Sequence, residues 1–336
     1  MNTTPASPEN KTSPTWRSIA FKVIKALLTI AVIVFVIVQL VKNWNSVQAY
    51  EWDLDVPLLV ASIAAQVVTF VLFSHMVTIL FRGFGYEVKL KHAFKIAYIA
   101  NLGRYVPGRI WPVFTLSYLG KTIKIDEQVS VAAWAVSLII SLPGSILAGL
   151  VCIWLVPELQ PHAITAMPVS LGTLALIVGV ISAILVVAPN TSLFIYNLIL
   201  RLLRMKPVKL RLTFPMALKV FCGYLLCWVV FGLAFWLFLL SIAPDADISP
   251  IAAIGVFVIS YQIGYLAIFS PGGVGVRELV MTAMLATYVG PIAPAVAVAS
   301  RLWNLVSEII ASLVALKIDP GEGVKKLDEN GQAQRQ

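Results

Sequence analysis

Long apolar runs separated by short polar segments dominate the chain. A helix needs about 20 residues to cross the hydrocarbon of a bilayer, and runs near that length fall at about 19–41, 57–81, 128–156, 166–188, 214–242, 250–269, 275–290 and 292–316. The pattern predicts an all-α fold, a polytopic integral membrane helical bundle with roughly six to eight spans. It predicts disordered cytoplasmic tails at 1–18 and 318–336 around a transmembrane domain at 19–317.

The first run is predicted to be an uncleaved span. It is longer than the apolar core of a typical signal peptide, and the following Lys42-Asn43-Trp44-Asn45 segment has no small-residue cleavage site.

Basic residues cluster in alternate connections. One cluster follows the second run and another precedes the fifth: Arg82, Lys89, Lys91 and Lys95, then Arg201, Arg204, Lys206, Lys209 and Arg211. Because Lys and Arg mark cytoplasmic loops, we expect both termini in the cytoplasm and the chain in the plasma or inner membrane. The second cluster also predicts an interfacial amphipathic helix within 191–211.

Composition agrees with a membrane protein. The chain is 59% hydrophobic and 12% charged, which a single soluble core could not accommodate. The net charge of +9 lies in the connections, where it favours anionic headgroups over nucleic acid. Cys152, Cys222 and Cys227 are interpreted as small buried hydrophobes, and His75 as a buried packing residue.

Two apolar stretches are interrupted, and they are the predicted functional elements. The first, Ala93 to Leu119, has basic residues on both sides, which favours a re-entrant hairpin that enters and leaves on the cytoplasmic side. Its interruptions are Asn101, Arg104, Pro107, Gly108, Arg109 and Pro112. The alternative for Arg104 and Arg109 is that they extend to cytoplasmic headgroups.

The second interruption is Ser270 to Glu278, which contains Pro271, Gly272, Gly273, Gly275 and Arg277. A helix that begins inside the membrane presents unpaired N–H groups and a positive dipole end, which suit a lipid phosphate. Guanidinium groups bind phosphate through a bidentate fork. The alternatives are a tight turn between spans and, for Glu278, an acid that only stabilises its helix dipole.

The last run carries three polar residues on one helical face, Arg301, Asn304 and Glu308. Charges inside a membrane cost a few kcal/mol each, so they should pair or line a cavity. Both interpretations stay open: a structural ion-pair network, or the lining of a substrate cavity.

The motifs Asn101-Leu102-Gly103-Arg104-Tyr105-Val106-Pro107-Gly108-Arg109 and Pro271-Gly272-Gly273-Val274-Gly275-Val276-Arg277-Glu278 resemble those of the lysylphosphatidylglycerol synthase/flippase transmembrane family. The resemblance covers about residues 20–317. It implies a bundle with re-entrant helices that moves or shelters a lipid with an anionic or modified headgroup. The chain departs from the pattern of many members at Ile110-Trp111-Pro112. Members that synthesise aminoacyl lipid carry an additional soluble aminoacyl-transfer domain. This chain is expected to lack that domain and not to make lysyl-lipid alone.

The predicted function is a lipid translocase for a phospholipid or a polyprenyl-phosphate-linked lipid, whose headgroup lies between the two broken elements. The predicted headgroup-binding residues are Asn101, Arg104, Pro107, Gly108, Arg109, Pro271, Gly272, Gly273, Gly275, Arg277, Glu278, Arg301, Asn304 and Glu308. The alternatives are a membrane-embedded lipid or glycosyl transferase, or an accessory subunit of one.

No metal-ligand pattern or ATP-binding motif is present in the sequence, so no catalytic residue, cofactor or metal is predicted. The expected partners are membrane lipids and not nucleic acid. A partner lipid-modifying transferase and a homo-oligomer remain open.

Overall fold

The structure is a computed structural model that describes residues 38, 41, 44–50, 52–102, 111–160, 170–202, 206–209, 212–267, 270, 273–319 and 324–326. The helices in these ranges are α1 (Trp44–Ala49), α2 (Val56–Gly83), α3 (Leu90–Leu102), α4 (Trp111–Thr122), α5 (Glu127–Leu155), α6 (Leu171–Val187), α7 (Asn190–Leu202), α8 (Phe214–Ile242), α9 (Pro250–Leu266), α10 (Val276–Val289) and α11 (Ala293–Leu316). Two short 3-10 turns are Pro157–Leu159 and Gly290–Ile292, and two strands are β1 (Tyr86–Val88) and β2 (Val324–Lys326).

The helices confirm a multi-pass helical membrane bundle. In the described part of the chain, 4 helical stretches are long and apolar enough to cross a membrane: α2, α5, α8 and Val276–Leu316, which contains α10 and α11. The pair α6 and α7, bent by 95°, makes a fifth if it is counted as one span. The two remaining predicted spans are α9, which has 17 residues, and the run at 19–41, which lies almost entirely outside the described residues.

The predicted re-entrant segment consists of two short helices. α3 has 13 residues and α4 has 12, and they pack against each other. At 1.5 Å per residue each is about 20 Å long, less than the roughly 30 Å of bilayer hydrocarbon. Residues 103–110, which join them, lie outside the described part, so the side from which the segment enters the membrane remains a prediction.

Polar caps define where several helices start. The Asp55 carboxylate accepts a hydrogen bond from the Leu58 N–H at 2.9 Å, and Pro57 lies in the first turn of α2. The Ser249 hydroxyl accepts in the same way from the Ala252 N–H at 3.2 Å at the start of α9. Both side chains satisfy amides that have no partner inside the helix.

The core lies around α8, which packs on α2, α5, α9 and α11. Aromatic rings fill this region, and Trp303 of α11 stacks on Phe238 with ring centroids 5.1 Å apart. The Trp303 indole N–H donates to the Ser62 hydroxyl of α2 at 3.0 Å. A buried tryptophan with a satisfied N–H both fills volume and fixes the orientation of its helix.

One end of the bundle is tied together by contacts between distant segments. β1 pairs with β2 in an antiparallel arrangement. Val324–Lys326, which lie in the tail predicted to be disordered, therefore form a strand. The Tyr86 hydroxyl donates to the Asp126 carboxylate at 2.6 Å. Burial and the Asp126 carboxylate raise the pKa of Tyr86 to about 12.

Two expectations about burial are wrong. His75 and Cys222 are exposed on the outer faces of α2 and α8, although both lie in apolar runs. The reason is that the surface facing lipid is itself apolar, as Val60, Val68 and Val71 show on α2. In a helix that is apolar on all sides, the sequence pattern does not mark the buried face.

A close approach of α8 to α9 predicts a stability difference between two glycines. A Cβ added at Gly232 would lie 2.8 Å from the Ile254 Cα, whereas at Gly179 of α6 the nearest atom would be the Leu147 Cδ1 at 4.0 Å. Gly232→Ala should therefore cost about 1–3 kcal/mol through overpacking. Gly179→Ala should be neutral or stabilising by about 0.5–1 kcal/mol. Thermal unfolding in detergent measures both, and equal melting temperatures for the two variants would contradict the α8–α9 packing.

Candidate functional site

The candidate site begins where α10 starts, at a backbone break made possible by glycine. Gly273 and Gly275 have φ angles of 70° and 84°. This left-handed region is favourable for glycine and costly for residues with a Cβ. The chain can therefore turn sharply before Val276 and begin α10 inside the bundle.

The break lies directly against the end of α9. A Cβ at Gly273 would be 2.6 Å from the Gly264 carbonyl oxygen, and one at Gly264 would be 2.8 Å from the Arg277 Cβ. The Ser270 hydroxyl donates to the Val274 carbonyl at 2.6 Å and holds the turn closed. Glycine at 264 and 273 lets the backbone of the break lie close to the backbone of α9, as small residues do between membrane helices.

Glu278, in the first turn of α10, joins the break to α11. Its Oε2 accepts from the Gly275 N–H at 2.5 Å, and its Oε1 accepts from the Arg301 Nη1 at 2.6 Å. The Glu278 side chain is 5% exposed and that of Arg301 is 29% exposed. Both carboxylate oxygens are thus satisfied, as a charge in an apolar interior requires.

This arrangement changes the predicted use of the α10 N-terminus. The sequence predicts unpaired backbone amides at this break, but the Gly275 N–H donates to the Glu278 carboxylate. An acid three residues after the helix cap reaches back to the cap amide, as in one half of a capping box. The carboxylate therefore stabilises the positive end of the helix dipole and also pairs with Arg301.

Arg277 contacts α9, whereas Glu278 contacts α11. Its guanidinium carbon lies 4.9 Å from the ring centroid of Tyr261 and 5.2 Å from that of Phe257. These rings are one turn apart on α9, and Arg277 is buried. Cation–π contacts of this kind stabilise a desolvated guanidinium.

The polar face of α11 contacts two other helices. Arg301 reaches Glu278 of α10, whereas the Asn304 amide oxygen accepts from the Gln66 amide of α2. Glu308 is buried on the same face. The structure thus places the Glu278 carboxylate on Arg301, and this ion pair joins α10 to α11.

Sequence reasoning missed Gln66 and Ser62 of α2. Both are fully buried, and Gln66 Oε1 has no hydrogen-bond partner within the described residues. A glutamine in the middle of an apolar run was the available signal, because polar side chains inside membrane spans usually face the bundle interior.

The structure brings together only part of the predicted site. Gly273, Gly275, Arg277, Glu278 and Arg301 meet where α9, α10 and α11 join. Asn101 is half-buried in the last turn of α3, and no hydrogen bond between described residues joins it to Glu278.

Apart from Asn304 and Glu308 of α11, the other predicted residues lie outside the described part of the chain. They are Arg104, Pro107, Gly108, Arg109, Pro271 and Gly272. A headgroup site between the two broken elements therefore stays a prediction.

The fold and this site define a class: a multi-pass helical membrane protein with a helix that starts at a glycine-rich break beside a partly buried ion pair. The family described as Lysylphosphatidylglycerol synthase TM region matches residues 23–315. The chain belongs to this family, which confirms the resemblance noted from its two motifs. No curated protein matches it.

The amide contact between α2 and α11 predicts an energetic coupling. Gln66→Met and Asn304→Leu should each destabilise the protein, because each leaves a buried amide without its partner. The double variant should recover about 0.6 kcal/mol relative to the sum, and at most about 1.7 kcal/mol, the average and the maximum found for hydrogen-bonded pairs between membrane helices. Unfolding in mixed detergent and denaturant measures the cycle.

The control cycle combines Gln66→Met with Ser182→Ala on α6, a helix that packs on α5 and α8. These two effects should add within about 0.5 kcal/mol. Additive effects for Gln66 and Asn304 as well would show that their contact does not stabilise the bundle.

Proposed function

We propose that this protein is a lipid translocase for a phospholipid or a polyprenyl-phosphate-linked lipid. The observation that supports it best is the Glu278–Arg301 pair at the start of a broken helix, in which the carboxylate is buried and the guanidinium is partly exposed. Family membership supports a lipid-related role. Orientation with both termini in the cytoplasm, and location in the cell membrane, belong to the same proposal.

Arg301 has the properties of a phosphate ligand in this proposal. Its guanidinium is partly exposed, while the carboxylate behind it is almost fully buried. A guanidinium presents several N–H donors in a planar fork, which matches two oxygens of a phosphate. A phosphodiester approaching from the exposed side can therefore share or take over the donors that now bind Glu278.

The outer face of α11 suits the tails of the same lipid. Leu302, Val306, Ile309 and Leu313 are exposed apolar residues of α11, and Leu302 directly follows Arg301. A lipid bound there would keep its tails against an apolar helix surface while its phosphate meets Arg301. Headgroup transfer past the break would not require the tails to leave the bilayer.

Glu278 provides the negative charge that pairs with Arg301, and the phosphate of a moving headgroup would take its place beside the guanidinium. Its carboxylate neutralises Arg301 and caps α10. When the phosphate takes the guanidinium, the Gly275 amide and the helix dipole still stabilise the carboxylate. The exchange keeps every buried charge paired or hydrogen-bonded, which keeps the energetic cost of passage low.

The test is headgroup translocation in proteoliposomes. The probes are fluorescent phosphatidylglycerol, lysyl-phosphatidylglycerol and polyprenyl-phosphate, offered to the wild type and to Glu278→Gln and Arg301→Gln. We expect both variants to move the lipid that the wild type moves about tenfold more slowly or slower still. A tenfold decrease in rate corresponds to about 1.4 kcal/mol of additional activation free energy. The reason is that each variant removes one charge of the exchanging pair.

The matched control is Glu127→Gln, which removes a carboxylate from the exposed Lys121–Glu127 pair at 3.4 Å. Its rate should stay within about twofold of the wild type, since exposed pairs contribute little. If folded wild-type protein moves none of the three lipids, the proposal fails. Conversion of a lipid donor to a new product in the same vesicles would favour the transferase alternative.

A further inference from the structure

Helix α7 presents an apolar surface that the bundle leaves uncovered. It follows α6 at a bend of 95°, so α7 runs nearly perpendicular to a helix that has no charged residue. Ser192, Tyr196 and Leu200 face inward and are buried. The opposite face exposes large apolar side chains: Phe194, Ile195, Leu198, Ile199 and Leu202.

A short segment with two lysines is held against this helix. The Asn197 side chain donates to the Val208 carbonyl at 2.9 Å and accepts from the Val208 N–H at 3.0 Å. Val208 itself is buried. This two-way bond fixes the position of Lys206 and Lys209, which flank Val208 and are exposed.

A pocket on α7 combines the apolar and the polar groups. It has a volume of about 190 Å³ and is lined by Asn190, Leu193, Phe194, Asn197, Leu198 and Arg201. Arg201 is exposed in the last turn of the helix. Two amides and a guanidinium therefore lie beside exposed leucine and phenylalanine side chains.

We infer that α7 and residues 206–209 form an in-plane anchor that binds the anionic headgroups of one membrane leaflet. If α6 crosses the bilayer, the bend of 95° places α7 along its surface. An apolar face with neighbouring cations is the arrangement by which interfacial helices bind anionic lipid. This inference is independent of the proposed function, because it concerns residues other than Glu278 and Arg301.

Charge favours a lipid surface over a second copy of the chain. A dimer built through α7 would bring Arg201, Lys206 and Lys209 of both copies to one interface. Like charges in contact disfavour association. Anionic headgroups instead neutralise all three cations while the acyl chains cover Phe194 and Leu198.

The experiment measures lipid retained by the full chain. Protein is reconstituted in vesicles of phosphatidylcholine with and without phosphatidylglycerol, extracted in mild detergent, and analysed by native mass spectrometry. The test variant combines Arg201→Gln, Lys206→Gln and Lys209→Gln. The control combines Lys121→Gln, Lys124→Gln and Lys219→Gln, which removes the same charge from other exposed positions.

We expect the test variant to retain at least tenfold less phosphatidylglycerol than the wild type, since each of the three basic residues near a membrane surface adds about fivefold to anionic lipid binding. The control should stay within about twofold of the wild type, and phosphatidylcholine retention should not change. Excess glycerol 3-phosphate should not displace the lipid, because the apolar face contributes to binding. Asn197→Leu, which releases residues 206–209, should give an intermediate loss.

Three results would each overturn the inference. They are equal retention by the wild type and the test variant, equal loss in the test and control variants, and displacement of the lipid by glycerol 3-phosphate. Size-exclusion chromatography adds a fourth: a dimer that Leu198→Asp converts to a monomer would assign the apolar face to a second copy.

Discussion

A buried carboxylate in an apolar bundle must keep every oxygen satisfied, and Glu278 imposes this requirement on the structure around it. One oxygen binds the Gly275 amide and the other binds Arg301. The first bond requires a backbone turn just before α10, and the second requires α11 to lie beside α10. This backbone turn requires glycine at 273 and 275, because both residues have positive φ angles. A single charge thus specifies the break, the start of a helix and a helix–helix contact.

Helix α11 is where the polar contacts of the interior converge. Toward α10 it offers Arg301, and toward α2 it offers Trp303 and Asn304, which bind Ser62 and Gln66. In lipid the hydrophobic effect adds little to helix association, so packing of small residues and hydrogen bonds between helices decide the arrangement. Helix α11 therefore has polar contacts on two sides, an ion pair toward α10 and hydrogen bonds toward α2.

The protein has two chemically different groups of charged residues. The first is the nearly buried pair of Glu278 and Arg301, where charges balance within the protein. The second is the exposed surface of α7 with Lys206 and Lys209, where the cations have apolar neighbours. A balanced buried pair suits a ligand that exchanges one interaction for another, whereas an unbalanced exposed cluster suits persistent attraction to a charged membrane.

The sequence is enough to predict most of the described helices, because bilayer thickness sets the length of an apolar run and caps such as Asp55 set where a helix starts. It also located the glycine-rich break and placed Arg301, Asn304 and Glu308 on one face, since both are local properties of the chain. The three-dimensional arrangement of the helices sets the partners: Arg301 with Glu278, 23 residues away, and Gln66 with Asn304, 238 residues away. It also decided that His75 and Cys222 are exposed and that Arg277 lies on aromatic rings. The physical reason is that lipid and protein interior are equally apolar, so the hydrophobic pattern that shows burial in a soluble protein does not distinguish the two here.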